Sequence, residues 1–238
     1  MKALIFAAGR GERMRPLSDV TPKPLLVAGG KRLIEWQIDG LVRAGVRELV
    51  INTAHMAAAI EATLGDGSRF GAHIEYSREG ETAEDALETL GGIVRALPLL
   101  APRGADAPFI AVSGDIVTDY DYRRLIAHAQ AIELGAADAH LVLVGNPPSH
   151  PHGDMGLAGS RITPAPPLLT YGNIGVFAPR LFRQQNAARK KLFPWLYAFT
   201  AEGRVTGERY DGLWHNVSTP EELAQLDAEL TSRMASIR

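Results

Sequence analysis

Leu4-Ile5-Phe6-Ala7-Ala8-Gly9-Arg10-Gly11-Glu12-Arg13-Met14-Arg15-Pro16-Leu17, followed by Pro22-Lys23-Pro24, decides how the rest of the chain is read. The apolar run from Ala3 to Phe6 has the length and composition of a buried strand, and it empties into small residues and glycines. Backbone N–H groups of such residues can approach an anion closely. Arg10, Arg13, Arg15 and Lys23 bring cations to the same strand end. Two commoner glycine loops fail here. A dinucleotide fingerprint needs a third glycine where Met14 stands, and a Walker loop needs a Gly-Lys-Ser/Thr ending that is missing. Glycines alone would make an ordinary turn; the clustered cations turn the reading toward a polyphosphate. The prolines on either side of Lys23 predict extended conformations for Thr21 and Lys23, which would hold the ammonium in one direction.

Outward from this loop, short apolar runs alternate with segments of helical period. Residues 32–44 place Ile34, Ile38, Leu41 and Val42 on one stripe, which Gly45 stops. Strands are expected at 49–51, 73–76, 109–112 and 141–144, and helices at 56–64, 87–97 (ended by Pro98) and 123–131. This alternation predicts an α/β fold, a Rossmann-like mixed and mostly parallel sheet flanked by helices. Ser113-Gly114-Asp115 then sets a carboxylate just past the C-terminal edge of a buried strand, where open α/β sheets hold their ligands. After Gly145 the rhythm breaks. Residues 146–167 read as a loop rich in Pro, Gly and His, and strands are expected at 171–177 and near 205–210. Between those strands a helical stretch carries Phe182, Leu192, Trp195 and Leu196. Thr219-Pro220-Glu221-Glu222 is a helix start leading into Leu223, Leu226 and Leu230. A single domain is expected, with a core over 1–145 and an elaboration with a C-terminal helix over 146–238.

Composition bounds the partners. With 25 basic against 27 acidic residues and no long basic run, the chain offers no electrostatic footprint for nucleic acid or an anionic membrane. The absence of cysteine excludes disulfides, thiolate metal sites and a thiol nucleophile. The opening apolar run is too short for a signal peptide, no later run reaches the roughly 18 residues of a membrane helix, and a cytoplasmic address is expected. His150-Pro151-His152-Gly153-Asp154 reads as a loop rather than a metal cluster, and Trp36, Trp195 and Trp214 as core residues.

The loop, with Pro22-Lys23-Pro24-Leu25, resembles the signature of sugar-1-phosphate nucleotidyltransferases. The resemblance continues through Val50-Ile51-Asn52, Leu87 to Ile93, Ser113-Gly114-Asp115, Gly172 to Val176 and Trp214 to Thr219, covering nearly the whole chain. Among the branches it is most similar to those that uridylylate N-acetylmuramic acid α-1-phosphate in cell-wall recycling. The resemblance implies the nucleotide-diphospho-sugar transferase fold, UTP and a sugar 1-phosphate as ligands, and Mg²⁺ as cofactor. It implies Arg13, Lys23 and Asp115 as catalytic residues, with Ala7, Ala8, Gly9, Gly11, Arg13, Lys23, Glu88 and Thr89 around the nucleotide. Gly172 and Asn173 would face the sugar, and Asp115 and Asn216 the metal. Asn216 departs from the aspartate usual in that branch, and an amide oxygen ligates magnesium without adding charge. Residues 79–86, acidic and somewhat longer than usual, are expected to form a solvated or mobile loop. Two other readings stay open: a related transferase using GTP, CTP or dTTP with mannose, glucose or choline phosphate, and a binding subunit without turnover, favoured only by Asn216.

Overall fold

A computed structural model describes residues 1–236. The chain begins with β1 (Lys2–Phe6), followed after the glycine loop by the short hairpin β2 (Val27–Ala28) and β3 (Lys31–Arg32). Then come α1 (Leu33–Arg43), β4 (Glu48–Thr53), α2 (Ala57–Leu64), β5 (His73–Arg78), α3 (Glu88–Leu100) and β6 (Phe109–Ser113). The middle of the chain forms β7 (Ile116–Thr118), α4 (Arg123–Glu133), β8 (Ala139–Val144), β9 (Met155–Ala158), β10 (Arg161–Thr163) and β11 (Leu168–Phe177). The last elements are α5 (Tyr197–Thr200), β12 (Val205–Arg209), β13 (Trp214–Asn216) and α6 (Pro220–Ser236).

Nine strands form one mixed sheet in the order β5-β4-β1-β6-β11-β8-β12-β10-β9. The first four run parallel, as crossover helices require, and β11 then enters antiparallel to both β6 and β8. Alternate residues of the central strands feed opposite faces. Ala3 and Ile5 pack with Ile34, Ile38, Leu125 and Ile132 from α1 and α4, while Leu4 and Val50 pack with Leu90, Ile93 and Ala96 from α3. A third cluster joins Met14, Leu26, Leu33 and Val217 to Leu226 and Leu230 of α6. Met14 is fully buried there, which contributes on the order of 2 kcal/mol and fastens the glycine loop to the C-terminal helix. The start of α6 is a capping box, with Glu222 N–H donating to Thr219 Oγ1 (3.2 Å) and Thr219 N–H to Glu222 Oε2 (3.2 Å). No helix among the described residues is long and apolar enough to cross a membrane.

The sequence reading needs correction in four places. The helix expected to end at Pro98 runs on to Leu100, because a proline in the last turn forfeits a single bond; Ala101 N–H still reaches Leu97 O at 2.8 Å, and Leu100 is buried. Residues 146–167 hold β9 and β10, whose apolar Met155 and Ile162 are hidden among turn residues. The stretch carrying Phe182, Leu192, Trp195 and Leu196 is not one helix. It is a 3-10 turn at Pro179–Leu181 and the four-residue α5, with the aromatic rings packing on one another between them. Lys23 opens a 3-10 turn (Lys23–Leu25) instead of lying extended, with Leu26 N–H closing onto Lys23 O at 3.1 Å.

Candidate active site

The site forms where β1, β4 and β6 end together. Gly114 N–H donates to Phe6 O (2.8 Å), which sets Asp115 beside the loop, and Ala7 N–H donates to the side-chain oxygen of Asn52 at the end of β4 (2.7 Å). Gly11 has φ +66°, the left-handed region, and a Cβ there would lie 3.0 Å from that of Lys23. The turn is closed by Met14 N–H and the Ser18 hydroxyl, both donating to Gly11 O (2.8 and 2.9 Å). Lys23 passes under the glycine to pair with Asp115, its side chain 11% exposed against 27% for the aspartate. The strand after Asp115 is held from below: buried Gln37 donates to Ile116 O (2.6 Å) and accepts from the Tyr122 hydroxyl.

Two adjoining cavities open over this loop. One, of about 480 Å³, is walled by Ala8, Gly9, Asn52, Glu79, Glu88 and Thr89 and reaches Asp115. The other, of about 600 Å³, is walled by Ala7, Gly11, Arg13, Lys23 and Ser218 and also reaches Asp115. Among the described residues Arg13 donates only to Ser218 Oγ (3.3 Å), and Arg10 sits between Glu84 (3.3 Å) and Glu12 (3.6 Å). A Cβ on Gly9 would meet no atom within 4 Å, so that glycine leaves open space at the strand end.

The segment 79–86 is solvated at Glu81, Thr82, Glu84 and Asp85, as expected, but not at its start. Glu79 turns inward, accepting from Asn52 Nδ2 (2.5 Å) and Leu87 N–H (2.6 Å); burial pushes its carboxyl above the ordinary range, although both hydrogen bonds pull the other way. Asp85 closes the outer turn on the N–H groups of Glu81 and Thr82 (2.9 and 2.8 Å). Asn52 and Glu79 thus tie the glycine loop to the start of α3. There Glu88 holds φ +61°, unusual for a residue with a Cβ and sustained by bonds on both sides.

Ala7, Ala8, Gly9, Gly11, Arg13, Lys23, Glu88, Thr89 and Asp115 therefore share one site. Gly172, Asn173 and Asn216 line neither cavity. Gly172 O accepts from Trp214 Nε1 (2.8 Å), and Asn173, at φ +55°, marks a bulge in β11 between Tyr171 and Gly175. Asn216 stands opposite Ile116 in the β13–β7 ladder, and Val217 N–H reaches Asp115 O at 3.2 Å. Asn216 lines a third cavity of about 530 Å³, with Trp214, His215 and Glu222. Asn52, Glu79, Ser218 and Arg189 also wall the site without having been given a role from sequence. A polar residue directly after the buried run Leu49–Ile51 was the signal for Asn52.

His128, His140 and Glu208 gather elsewhere with ligand atoms within 4.8 Å of one another. Arg124 and the Tyr120 hydroxyl already bind Glu208. Burial opposes its ionisation, but His140, Tyr120 and Arg124 together bring its carboxyl down to about 2. The imidazoles stack at 3.4 Å and 10°, so their in-plane lone pairs do not converge on one ion.

The glycine loop, the strand-end carboxylate and the mixed sheet define a nucleotidyltransferase. A profile of the nucleotidyl transferase family matches residues 2–161, and the chain belongs to this family, whose members bind a nucleoside triphosphate and a sugar phosphate. It is similar to the N-acetylmuramate α-1-phosphate uridylyltransferase of Neisseria meningitidis serogroup B, 43% identical over 96% of this chain and 97% of that one. The enzyme of that name from Caulobacter vibrioides is 32% identical over 96% of each chain. A Bacillus anthracis structure solved with sucrose, described as a glucose-1-phosphate thymidylyltransferase, shares the fold at TM-score 0.81 and 19% identity, over 97% of this chain and 95% of its own.

Proposed function

We propose that this enzyme transfers a uridylyl group from UTP to N-acetylmuramic acid α-1-phosphate, giving UDP-N-acetylmuramic acid and pyrophosphate, in cytoplasmic recycling of cell-wall sugars. The observation that carries the reading is the Lys23–Asp115 pair, set where the two cavities meet, in a chain so similar to two uridylyltransferases of that name. A phosphate oxygen of the sugar 1-phosphate attacks the α-phosphorus, the bond to the β-phosphate oxygen breaks, and pyrophosphate carries the charge away. The nucleophile is already an anion, so the protein need only align the esters and neutralise their repulsion.

In this reading Glu88 and Thr89 flank the base, and the N–H groups of Ala7, Ala8, Gly9 and Gly11 line the triphosphate. Arg13 holds the β- and γ-phosphates, and Lys23 leaves Asp115 to bridge the reacting groups. Gly172 and Asn173 face the sugar. The residues present fit Mg²⁺: Asp115 is a partly exposed carboxylate on both cavities, paired with Lys23, and magnesium takes one or two protein oxygens with phosphate and water completing its shell. Bound there, the ion would supply charge neutralisation at the triphosphate. Asn216, paired with Ile116 next to Asp115 and lining the adjoining third cavity, is assigned the lesser share of the metal site.

The test is pyrophosphate release with UTP, GTP, CTP and dTTP crossed against N-acetylmuramic acid, N-acetylglucosamine, mannose and glucose 1-phosphates, with and without Mg²⁺. Turnover is expected to peak with UTP and N-acetylmuramic acid 1-phosphate and to vanish on chelation. A peak at any other pair overturns the assignment.

A further inference from the structure

A second piece of chain is strapped across the start of α3. Lys190 N–H donates to Leu87 O (2.9 Å), while the N–H groups of Leu90 and Gly91 both donate to Lys190 O (3.0 and 3.2 Å). The approach is so close that a Cβ on Gly91 would stand 2.2 Å from Ala188 O. Held on both sides of Lys190, whose own ammonium turns away to Gln185 (2.9 Å), the strap offers its two neighbouring cations to the site. Arg189 lines the nucleotide cavity and lies 3.8 Å from Glu88. Lys191 lines neither cavity of the glycine loop. It borders a smaller one of about 170 Å³ with Glu88, Thr89, Tyr171, Leu192 and Phe193.

The charges of this corner do not balance. Arg189 takes the one carboxylate, Glu88, and among the described residues no acid pairs with Lys191. Tyr171 packs edge-on against Phe193 (5.6 Å, 73°) and Leu192 is buried, so the exposed Lys191 stands at the mouth of a small cavity whose floor is apolar and aromatic. Tyr171 is followed in β11 by Gly172 and Asn173, the residues assigned to the sugar. The triphosphate has Arg10, Arg13 and Lys23 around its own cavities and needs nothing from Lys191.

We infer that Lys191 binds a carboxylate carried by the sugar 1-phosphate, and that Arg189 keeps Glu88 from occupying it. Lys191 is thus a specificity-determining residue that selects an acidic sugar over its neutral counterpart. This rests on the substrate proposed above: N-acetylmuramic acid differs from N-acetylglucosamine by a lactyl ether that ends in a carboxylate.

The experiment compares kcat/KM for N-acetylmuramic acid 1-phosphate and N-acetylglucosamine 1-phosphate at saturating UTP, in the wild type, Lys191→Ala, Lys191→Arg and Arg189→Ala. Loss of one charge-assisted hydrogen bond corresponds to about tenfold or more. Lys191→Ala is expected to lower the acidic-to-neutral ratio by at least about tenfold through KM for the acidic sugar, with KM for UTP unchanged. Lys191→Arg is expected to restore most of the ratio, and Arg189→Ala to fall between. An unchanged ratio in Lys191→Ala, an equal loss on both sugars, or a loss in UTP affinity overturns the role of Lys191 while leaving the substrate reading in place. A wild type that uses the acidic sugar no better than the neutral one overturns both.

Discussion

Arg180 and Lys23 each hold an aspartate, but they are bonded to opposite extents. Arg180, behind the sheet, reaches Asp138 through Nε (2.7 Å), Asp106 through Nη1 (2.7 Å), and the carbonyls of Ile132 and Ala137 through Nη2 (2.9 Å each). Asp138 is 4% exposed and takes Arg204 as a further partner. Among the described residues Lys23 pairs with Asp115 alone, Arg13 with one hydroxyl at 3.3 Å and Arg189 with one carboxylate at 3.8 Å. Buried charges that serve the fold need every donor answered. Charges that serve a ligand keep donors in reserve, and the difference in saturation separates the two regions without reference to any relative.

Removing the cation on each side would break this comparison most sharply if the outcomes matched. Lys23→Ala is expected to cut turnover by about 10²–10³-fold, the scale for a donor aimed at developing charge, while the thermal midpoint moves little. Initial rates and a melting curve on the same preparation check it; a large drop in the midpoint with modest loss of rate would reverse the assignment. Arg180→Ala should do the opposite. Asp138 keeps Arg204 and Asp106 keeps Arg183, but losing the Arg180 bonds to both carboxylates is expected to cost about 1.5–3 kcal/mol of stability, read by denaturant titration, with turnover per folded molecule preserved.

The two regions also differ in how far the sequence disclosed them. The glycine loop is local, so its chemistry shows in consecutive residues, and the period of the apolar runs carries the parallel strands and helices as far as Gly145. Asn52 and Glu79 act on that loop only because the order β5-β4-β1 brings three strand ends together, and register is not written in spacing. Arg189 and Lys191 are farther still, delivered by a strap whose bonds to Leu87 and Leu90 leave no periodic mark. Beyond Gly145, β9 and β10 are too short to show alternation among Gly and Pro, and Phe182, Leu192 and Trp195 mimic helical spacing while belonging to one apolar cluster in which the rings of Phe182 and Trp195 pack together. Asn216 was legible as a residue near Asp115 but not as one lining a different cavity, since that depends on the pairing of β13 with β7, which spacing does not record.

The smallest expected effect lies in the pH dependence of stability, where the two regions carry opposite signs. Burial opposes ionisation of Asp138, but hydrogen bonds from Arg204 and Arg180 outweigh it and hold the carboxyl below its ordinary value of about 3.9. The native state therefore binds that proton more weakly than the unfolded chain. The stability this contributes is in full above about pH 3.9 and is lost as pH falls through the lower native value. Glu79 is raised, chiefly by burial, so the native state binds its proton more tightly; its contribution is greatest below about pH 4.3 and declines as pH rises through the native value above it. Asp138→Asn should flatten the acid limb at a net cost in stability. Glu79→Gln should flatten the adjacent window and change stability at neutral pH by less than about 1 kcal/mol, because the amide removes a desolvated charge and still accepts from Leu87 N–H, while it can no longer accept from Asn52 Nδ2 as well. Denaturant midpoints from pH 2 to 8 for both variants and the wild type decide this; a loss above 1 kcal/mol in Glu79→Gln at neutral pH would show that the carboxylate is bonded as fully as Asp138, and that saturation does not divide the molecule where we have drawn the line.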